Sequence, residues 1–592
     1  MRRLSTSGVA ALVLIAVALV YWPVVHANFV WIDWTDFHDQ TWLREGGSWK
    51  HYIFRDFNTW TNYFRPLMVG LFTLQVRLFN VAPGPMHVVS LGLHLINTLL
   101  VGLLAWRYAD ASMSLPRRTC LLGVSMLLYG FHPVLIEPVA WIGCQSELLV
   151  TMFTLLGLIA NTGIKSVAAR AATVAVLFFL AACTKESAVS LPLILIVIDW
   201  ALLSRRDEKT MCSAIRSLVV RNWPIYVAMF LAGVSYLVFR HWALGVIVNP
   251  FPAGSSTVLG RLQEVCFLYL HYWKTLLWPM SGMSPIHPVD VARFGAISMA
   301  SVLTDAAAIG IVLTGLWLAL RHSSTLGCML LAVTAALLPV LHIASVDFDA
   351  SLYHERYAMT ALAIVCAMLP RLRPSVPATG KLKQLSVPLL ATALLFWLVL
   401  AVINIRVMLP LWSNNVNLWR WTLVEYPNSI TAKNNLLSAY IDAKDHASAD
   451  RLVNRLLAEH VQCTNCMLNA ARLAVAEHDP TRAATALEVV RNSRELVADK
   501  QQFHSYLLIT SQMLVLQGHF EDAVQILREV IKLDPLDPYP HLQLAMALAL
   551  EGKIDQAREV GESGIALLPP DERGPQRKML DDALASAIQP PR

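Results

Sequence analysis

Up to about residue 410 the chain consists of long apolar runs separated by short polar segments, and beyond it the pattern changes to charged, alanine-rich stretches with helical periodicity. The hydrocarbon core of a bilayer takes about 20 consecutive apolar residues as one helix, so runs of roughly 15 to 25 read as spans. They fall near 8–26, 85–106, 119–135, 146–164, 171–184, 187–203, 223–242, 300–320, 324–343, 356–372 and 385–409, eleven in all. Two further apolar pieces are set aside. Residues 261–280 carry Arg261, Glu264, His271 and Lys274, which suit a helix lying at the interface or re-entering it. Residues 67–79 are short and hold Arg77, so they too are expected along the surface.

The C-terminal stretch repeats itself. Gly518, Ala523 and Pro535 recur as Gly552, Ala557 and Pro569, each 34 residues on, which is the tetratricopeptide period. Ala483 and Ala449 hold the place of Ala523 at offsets of 40 and 34, so two degenerate repeats precede the clear pair, with six extra residues expected around Asn492–Asp499. Pro427 stands 17 residues before Lys444 as Pro535 stands 17 before Gly552, which carries the phase back to the start of the region. The expected fold is therefore all-α: a polytopic membrane helix bundle over 1–410 and a tetratricopeptide α-solenoid over 411–592. Stacked helix pairs make a concave surface suited to peptides or extended segments. Support of the membrane core is the other role open to them.

Composition agrees with the pattern: 56% of the 592 residues are hydrophobic and 15% charged, and the mean hydropathy is +0.51, so most of the chain belongs in lipid. The net charge of +6 is small for this length, and the basic residues collect in short clusters between apolar runs, which excludes nucleic acid as the expected partner. The start, MRRLSTSGVAALVLIAVALVYWPVV, ends its apolar run in Tyr-Trp-Pro rather than in small residues suited to cleavage. It reads as an uncleaved first helix beginning in the cytoplasm. Arg107, Arg117, Arg118, Lys165, Arg170, Arg205, Arg206, Lys209, Arg321, Arg371, Arg373, Lys381 and Lys383 then fall on that same side, and eleven crossings put the repeats outside. Seven of the nine cysteines are scattered, and Cys463-x-x-Cys466 reads as a local disulfide or two free thiols.

Ionisable groups at membrane depth are costly and mark function by default, and four outward places hold them. The first is Phe29–Pro66, with Asp33, Asp36 and Asp39 just past the first span, then tryptophans, then Asn62 and Arg65. An acid there can take a proton from a hydroxyl at the membrane surface; a solvated loop anchored among headgroups by its aromatics explains the same residues. The second, FHPVLIEPVAWIGCQSELL (131–149), holds His132, Glu137 and Glu147. The third, CTKES (183–187), holds Lys185 and Glu186, and the fourth, DFDASLYHERYAM (347–359), holds Asp347, Asp349, His354, Glu355, Arg356 and Tyr357. Any one of them is explained as well by a structural ion pair. Four on one side point to an active site. Arginine grips two phosphate oxygens at once and lysine offers a point charge, so Arg356, Arg65 and Lys185 are the candidate cations. No His, Cys and Asp set has ligand spacing, and no metal is expected. His87, His94 and Asn97 share one helix and are expected to bond neighbouring helices, and Asp199 to anchor its own.

RPLMVGLFTLQVRLFNVAPGPMHVVSLGLHLINTLLVGLL, FHPVLIEPVAWIGCQSELLVTMF, CTKESAVSLPLILIVIDW and ERYAM followed by repeats resemble the transmembrane and tetratricopeptide repeat O-mannosyltransferases and their bacterial relatives, of the GT-C fold. The resemblance implies an inverting transfer from a polyprenyl-phosphate monosaccharide, dolichyl phosphate mannose in eukaryotic members, to an outer hydroxyl, with no cofactor beyond the lipid donor. The expected acceptor is protein Ser/Thr reached through the repeats; a lipid or polysaccharide acceptor is the alternative, and a non-catalytic membrane scaffold is a different class. The family's first loop opens on a phrase like FVxxDD. Here FVWID puts Asp33 in the place of the base and Trp34 where some relatives have a second acid, so Asp36 competes for the role. Taken with the ionisable residues above, the expected site has Asp33, Asp36 and Glu137 as catalytic, Arg356, Lys185 and Arg65 as donor-phosphate ligands, and His132, Glu186, Glu355 and Tyr357 as supporting residues. The family's Asp-Arg-Tyr stands here as Glu355-Arg356-Tyr357. The setting implied is the bacterial inner membrane with the repeats in the periplasm, or the endoplasmic reticulum membrane with the repeats in the lumen.

Overall fold

The computed structural model describes residues 5–40, 43–44, 53–55, 63–203, 211–247, 257–280, 282–343, 351–372, 381–493, 496, 499–568 and 570–588. Asn62, Asp347 and Asp349, and the side chain of Asp39, lie outside the described residues. The described elements are all helical, with no strand among them. The chain divides into two compact units, Met1–Asp36 with Trp49–Asn414, and Phe37–Ser48 with Asn415–Arg592.

The first unit runs through α1 (Thr6–Tyr21), α2 (Pro66–Phe79), α3 (Pro83–Tyr108), α4 (Leu115–Gly130), α5 (Ile136–Ala140), α6 (Gln145–Gly163), α7 (Val167–Ala182), α8 (Leu191–Leu203), α9 (Met211–Leu244), α10 (Val258–Leu277), α11 (Met299–His322), α12 (Thr325–Leu337), α13 (Met359–Met368) and α14 (Lys381–Met408). Local chemistry sets many of the starts. Ser5, Ser166 and Thr257 accept the backbone N–H of Gly8, Ala169 and Gly260 at the heads of α1, α7 and α10, and α2 and α3 begin on prolines, whose missing N–H is harmless in a first turn.

Six helices among the described residues are long and apolar enough to cross a bilayer: Thr6–His26, Pro83–Tyr108, Ile142–Gly163, Met211–Leu244, Met299–His322 and Pro388–Trp412. A seventh span exists if Leu115–Gly130 and Pro133–Ala140, bent by 54°, count as one. The expectation of eleven is too high. Over the runs 171–184, 187–203, 324–343 and 356–372 the helices α7, α8, α12 and α13 are only 16, 13, 13 and 10 residues long. Tight 3-10 turns at Glu186–Ser190, Leu338–Val340, Glu355–Ala358 and Leu369–Arg371 break the runs, two of them on prolines that cannot donate to the helix ladder. The apolar runs 324–343 and 356–372 continue through the breaks at Leu338–Val340 and Leu369–Arg371, so counting apolar content overstated helix length. The outward placement read from eleven crossings does not carry over to six or seven. Residues 261–277 lie in α10, which buries Gln263, Glu264, Cys266, Leu268, Tyr269 and Tyr272 along one face.

Helix α3 lies at the centre and packs on α1, α4, α6 and α13. Its polar side chains satisfy neighbouring backbone: His94 Nε2 lies 3.1 Å from the Gly130 carbonyl, and Asn97 donates to the Leu148 carbonyl at 2.8 Å. Asp199 on α8 is buried and accepts from Asn161, Asn222 and Tyr226 at 2.6, 2.9 and 2.9 Å, fastening α6 and α9 to it.

The second unit opens on α15 (Asn415–Glu425) and continues as antiparallel pairs: α16 (Ile430–Asp442) with α17 (His446–Ala458), α18 (Thr464–Ala476) with α19 (Pro480–Arg491), α20 (Lys500–Leu516) with α21 (Phe520–Leu533), and α22 (Pro538–Leu550) with α23 (Ile554–Leu567), followed by α24 (Pro570–Ile588). Ala449, Ala483, Ala523 and Ala557 are each fully buried on the second helix of their pair, where a larger side chain would hold the helices apart. The turn inside each pair places one residue at positive φ: Lys444 (57°), His478 (59°), Gly518 (80°) and Gly552 (86°). The offset of 40 has two sources, less the one residue by which α19 is shorter than α17. Eight residues separate α19 from α20 against five between α17 and α18, and α20 has 17 residues where α18 has 13. Cys463 and Cys466 form a disulfide at the head of α18.

Candidate functional site

Two short breaks between helices help build the site, because a helix that stops frees its end residues to turn inward. The turn at Glu355–Ala358 brings Arg356 to Glu137 on α5; the two form an ion pair, and Glu137 also accepts the Arg356 backbone N–H at 3.1 Å. Arg356 Nε stands 3.3 Å from Glu147 on α6. Glu147 in turn pairs with Lys185, from the break after α7, and accepts the Ser146 hydroxyl at 2.6 Å. Tyr357 closes the cluster: its ring lies 5.1 Å from Lys185 Nζ and 4.8 Å from the Arg356 guanidinium. Glu137, Glu147 and Arg356 are 4, 7 and 8% exposed, so these charges face one another in a medium that penalises any that is unpaired.

A pocket opens at this cluster. Glu147, Lys185, Arg356, Ser187, Ser190, Tyr357 and Thr360 give it a charged and hydroxylated side, and Val150, Ala336, Val340 and Met359 an apolar one.

Asp33 is fully buried and accepts the backbone N–H groups of Val30 at 3.3 Å and Gly143 at 3.0 Å. Burial pushes its carboxyl well above the usual range, the neighbouring Asp36 pushes the same way, and the backbone donors only partly oppose them. Asp36 is also buried, in the helical turn Thr35–Asp39. The contact with Gly143 attaches the first loop to the segment that follows Glu137. Two residues before Asp33, Trp31 sits at φ 58°, a conformation bulky residues rarely adopt and which costs about 1–3 kcal/mol. Its ring stacks on Trp141 with centroids 4.7 Å apart, and the Arg356 guanidinium lies 5.0 Å from the Trp141 ring. Asp33 is thereby linked to the ion-pair cluster.

The other expected residues go elsewhere. Arg65 binds Glu186 through Nη2 at 2.9 Å and Nε at 3.3 Å, over the Tyr63 ring, and Arg240 approaches the same carboxylate at 3.5 Å. Burial works against the Glu186 charge, but Arg65 and Lys185 hold its carboxyl below the ordinary range. This second cluster adjoins the first through the neighbouring residues Lys185 and Glu186 and through the interaction of Arg65 with Glu147. His132 turns away: its Nε2 lies 3.2 Å from the Leu276 carbonyl, and its Nδ1 accepts the Val134 N–H and caps a turn. Glu355 faces His287 Nε2 at 2.9 Å. His354 is buried, and burial together with Arg356 keeps its imidazole well below its usual pKa. Among the described residues no group of three or more His, Cys, Asp or Glu is placed to hold a metal ion. The sequence reading left out Arg240, Trp31 and Trp141; an arginine near the end of an apolar run and tryptophans flanking the acids were the signals available.

A tetratricopeptide repeat family model matches residues 514–574, which run from the end of α20 into α24. The C-terminal region therefore carries a tetratricopeptide repeat. No curated protein matches the chain.

Proposed function

We propose that this protein is an inverting membrane glycosyltransferase of the GT-C type, moving a monosaccharide from a polyprenyl phosphate to a hydroxyl outside the cytoplasm, on protein Ser/Thr. One observation carries the reading: a buried acid, Asp33, is tied to the loop whose neighbours line a pocket with Lys185 and Arg356 on one side and apolar residues on the other. In such a site Asp33 takes the acceptor hydroxyl's proton as its oxygen bonds to the sugar's anomeric carbon. The bond from that carbon to the phosphate oxygen breaks on the opposite face, and the departing anion is met by Lys185 and Arg356. Asp36 is the alternative base. The chemistry calls on no metal, and Arg65 and Arg240, both held by Glu186, stand apart from the pocket.

The Cys463–Cys466 disulfide supports an extracytoplasmic place for the repeats, in a periplasm or an endoplasmic reticulum lumen, because such bonds persist in oxidising compartments. The repeats then serve the acceptor. A non-catalytic scaffold is the second reading, favoured by the fact that Lys185, Arg356 and Arg65 are all engaged by carboxylates. The test is transfer of radiolabelled sugar from polyprenyl phosphate in proteoliposomes, with intact-mass analysis of outer proteins from cells with and without the gene product. Label on protein that disappears with Asp33→Asn supports the reading. Label on lipid or polysaccharide alone moves the acceptor, loss with Asp36→Asn but not Asp33→Asn moves the base, and no label on any acceptor leaves the scaffold.

A further inference from the structure

The indole pair beside the ion-pair cluster has no part in the phosphate pocket. Trp141 is 7% exposed, and its Nε1–H has no acceptor among the described residues. Such donors are nearly always satisfied; Trp273 and Trp412 share this state among the described residues, and Trp141 is distinguished by its place beside the ion-pair cluster. The ring is held firmly in that position. Trp31 stacks on it, Arg356 lies 5.0 Å from its centroid, and a Cβ at Gly143 would come within 2.8 Å of Trp141 Cε2, so the chain has glycine where the ring folds back. Trp31 is half-buried and keeps its positive φ in making the stack.

We infer that Trp31 and Trp141 form the sugar subsite of the donor: the apolar C–H face of the sugar ring lies on the indole pair and one sugar hydroxyl accepts the Trp141 Nε1 hydrogen. This rests on the lipid-phosphate-sugar reading given above. Stacked rings with a single outstanding donor suit a neutral ring with one apolar face and hydroxyls at its edge. The neighbouring cations suit the phosphate instead, and Arg356, touching both the pocket and Trp141, marks where the two parts of one donor would join.

The experiment measures binding to the full-length protein in nanodiscs of bare polyprenyl phosphate and of the same lipid carrying mannose, glucose, galactose or N-acetylglucosamine. Wild type is expected to bind at least one glycosylated lipid more tightly than the bare one. Trp141→Phe, which keeps a ring and removes the N–H, is expected to lower that ratio about two- to tenfold, the worth of one hydrogen bond, while bare-lipid affinity is unchanged. Trp34→Phe, at an exposed indole of the same loop, should leave the ratio as it was. The inference is overturned if no sugar improves wild-type binding, if Trp141→Phe leaves the ratio unchanged, or if it weakens the bare lipid equally. Failure of wild type to bind any polyprenyl phosphate, bare or glycosylated, would instead remove the donor reading itself.

Discussion

Separating Glu137 from Arg356 should destabilise the membrane unit strongly, and removing both should not. The two groups are 4 and 8% exposed, and with Glu147 and Lys185 they form a set whose charges cancel. Glu137→Leu leaves the guanidinium facing Glu147 alone, which Lys185 already occupies, so one positive charge is stranded. Stranding a buried charge typically costs 3–5 kcal/mol, and the remaining 3.3 Å contact to Glu147 places this case near the lower end, about 3 kcal/mol. Arg356→Met strands Glu137 with little more than a backbone N–H, at a similar cost of about 3 kcal/mol. The double variant strands neither. It should lie within about 2 kcal/mol of wild type, so that the two changes are coupled by several kcal/mol rather than additive. Denaturant unfolding in detergent, followed by near-ultraviolet circular dichroism, gives all four corners of the cycle. Single changes each costing below about 1 kcal/mol and summing in the double would refute the reasoning, since they would mean that water already screens the pair.

Asp33 has its carboxyl pushed up by burial, so if its carboxylate is the base, sugar transfer should fall with decreasing pH from a midpoint above the ordinary Asp range; a pH profile with its acid limb at or below about 4 excludes that role. The stability sign is opposite: a raised folded pKa favours the protonated form, so Asp33's contribution is full at low pH and is lost as pH rises through the raised value, which unfolding titrations of wild type and Asp33→Asn compare. Gly143→Ala should cost about 1–3 kcal/mol and lower transfer, because the added methyl meets the Trp141 ring at 2.8 Å on the residue that holds Asp33; unchanged melting and activity would show that the ring yields freely. Lys444→Gly and His478→Gly should each stabilise the repeats by about 0.5–1 kcal/mol, since both hold φ near 58° where the later repeats use glycine; a midpoint that falls in denaturant titrations would contradict this.

The sequence determined the features that repeat along one stretch of chain. Apolar runs separated by basic clusters gave the membrane unit, and the spacing of Ala449, Ala483, Ala523 and Ala557 gave the helix pairs, because each signal lies within the element it describes. It did not give span number, since the breaks at Leu338–Val340 and Leu369–Arg371 lie inside the apolar runs 324–343 and 356–372. Nor did it give partners. Glu147 with Lys185 and Glu137 with Arg356 pair across 38 and 219 residues, and a periodic pattern cannot say which of several acids meets which cation. The acids, lysine and arginine of the cluster were all legible as ionisable residues at membrane depth, but only the packing turned His132 to the Leu276 carbonyl and Glu355 to His287. The stacking of Trp31 on Trp141 and the approach of Arg240 to Glu186 were likewise decided by the tertiary fold, because desolvation selects contacts in space and leaves no period in the chain.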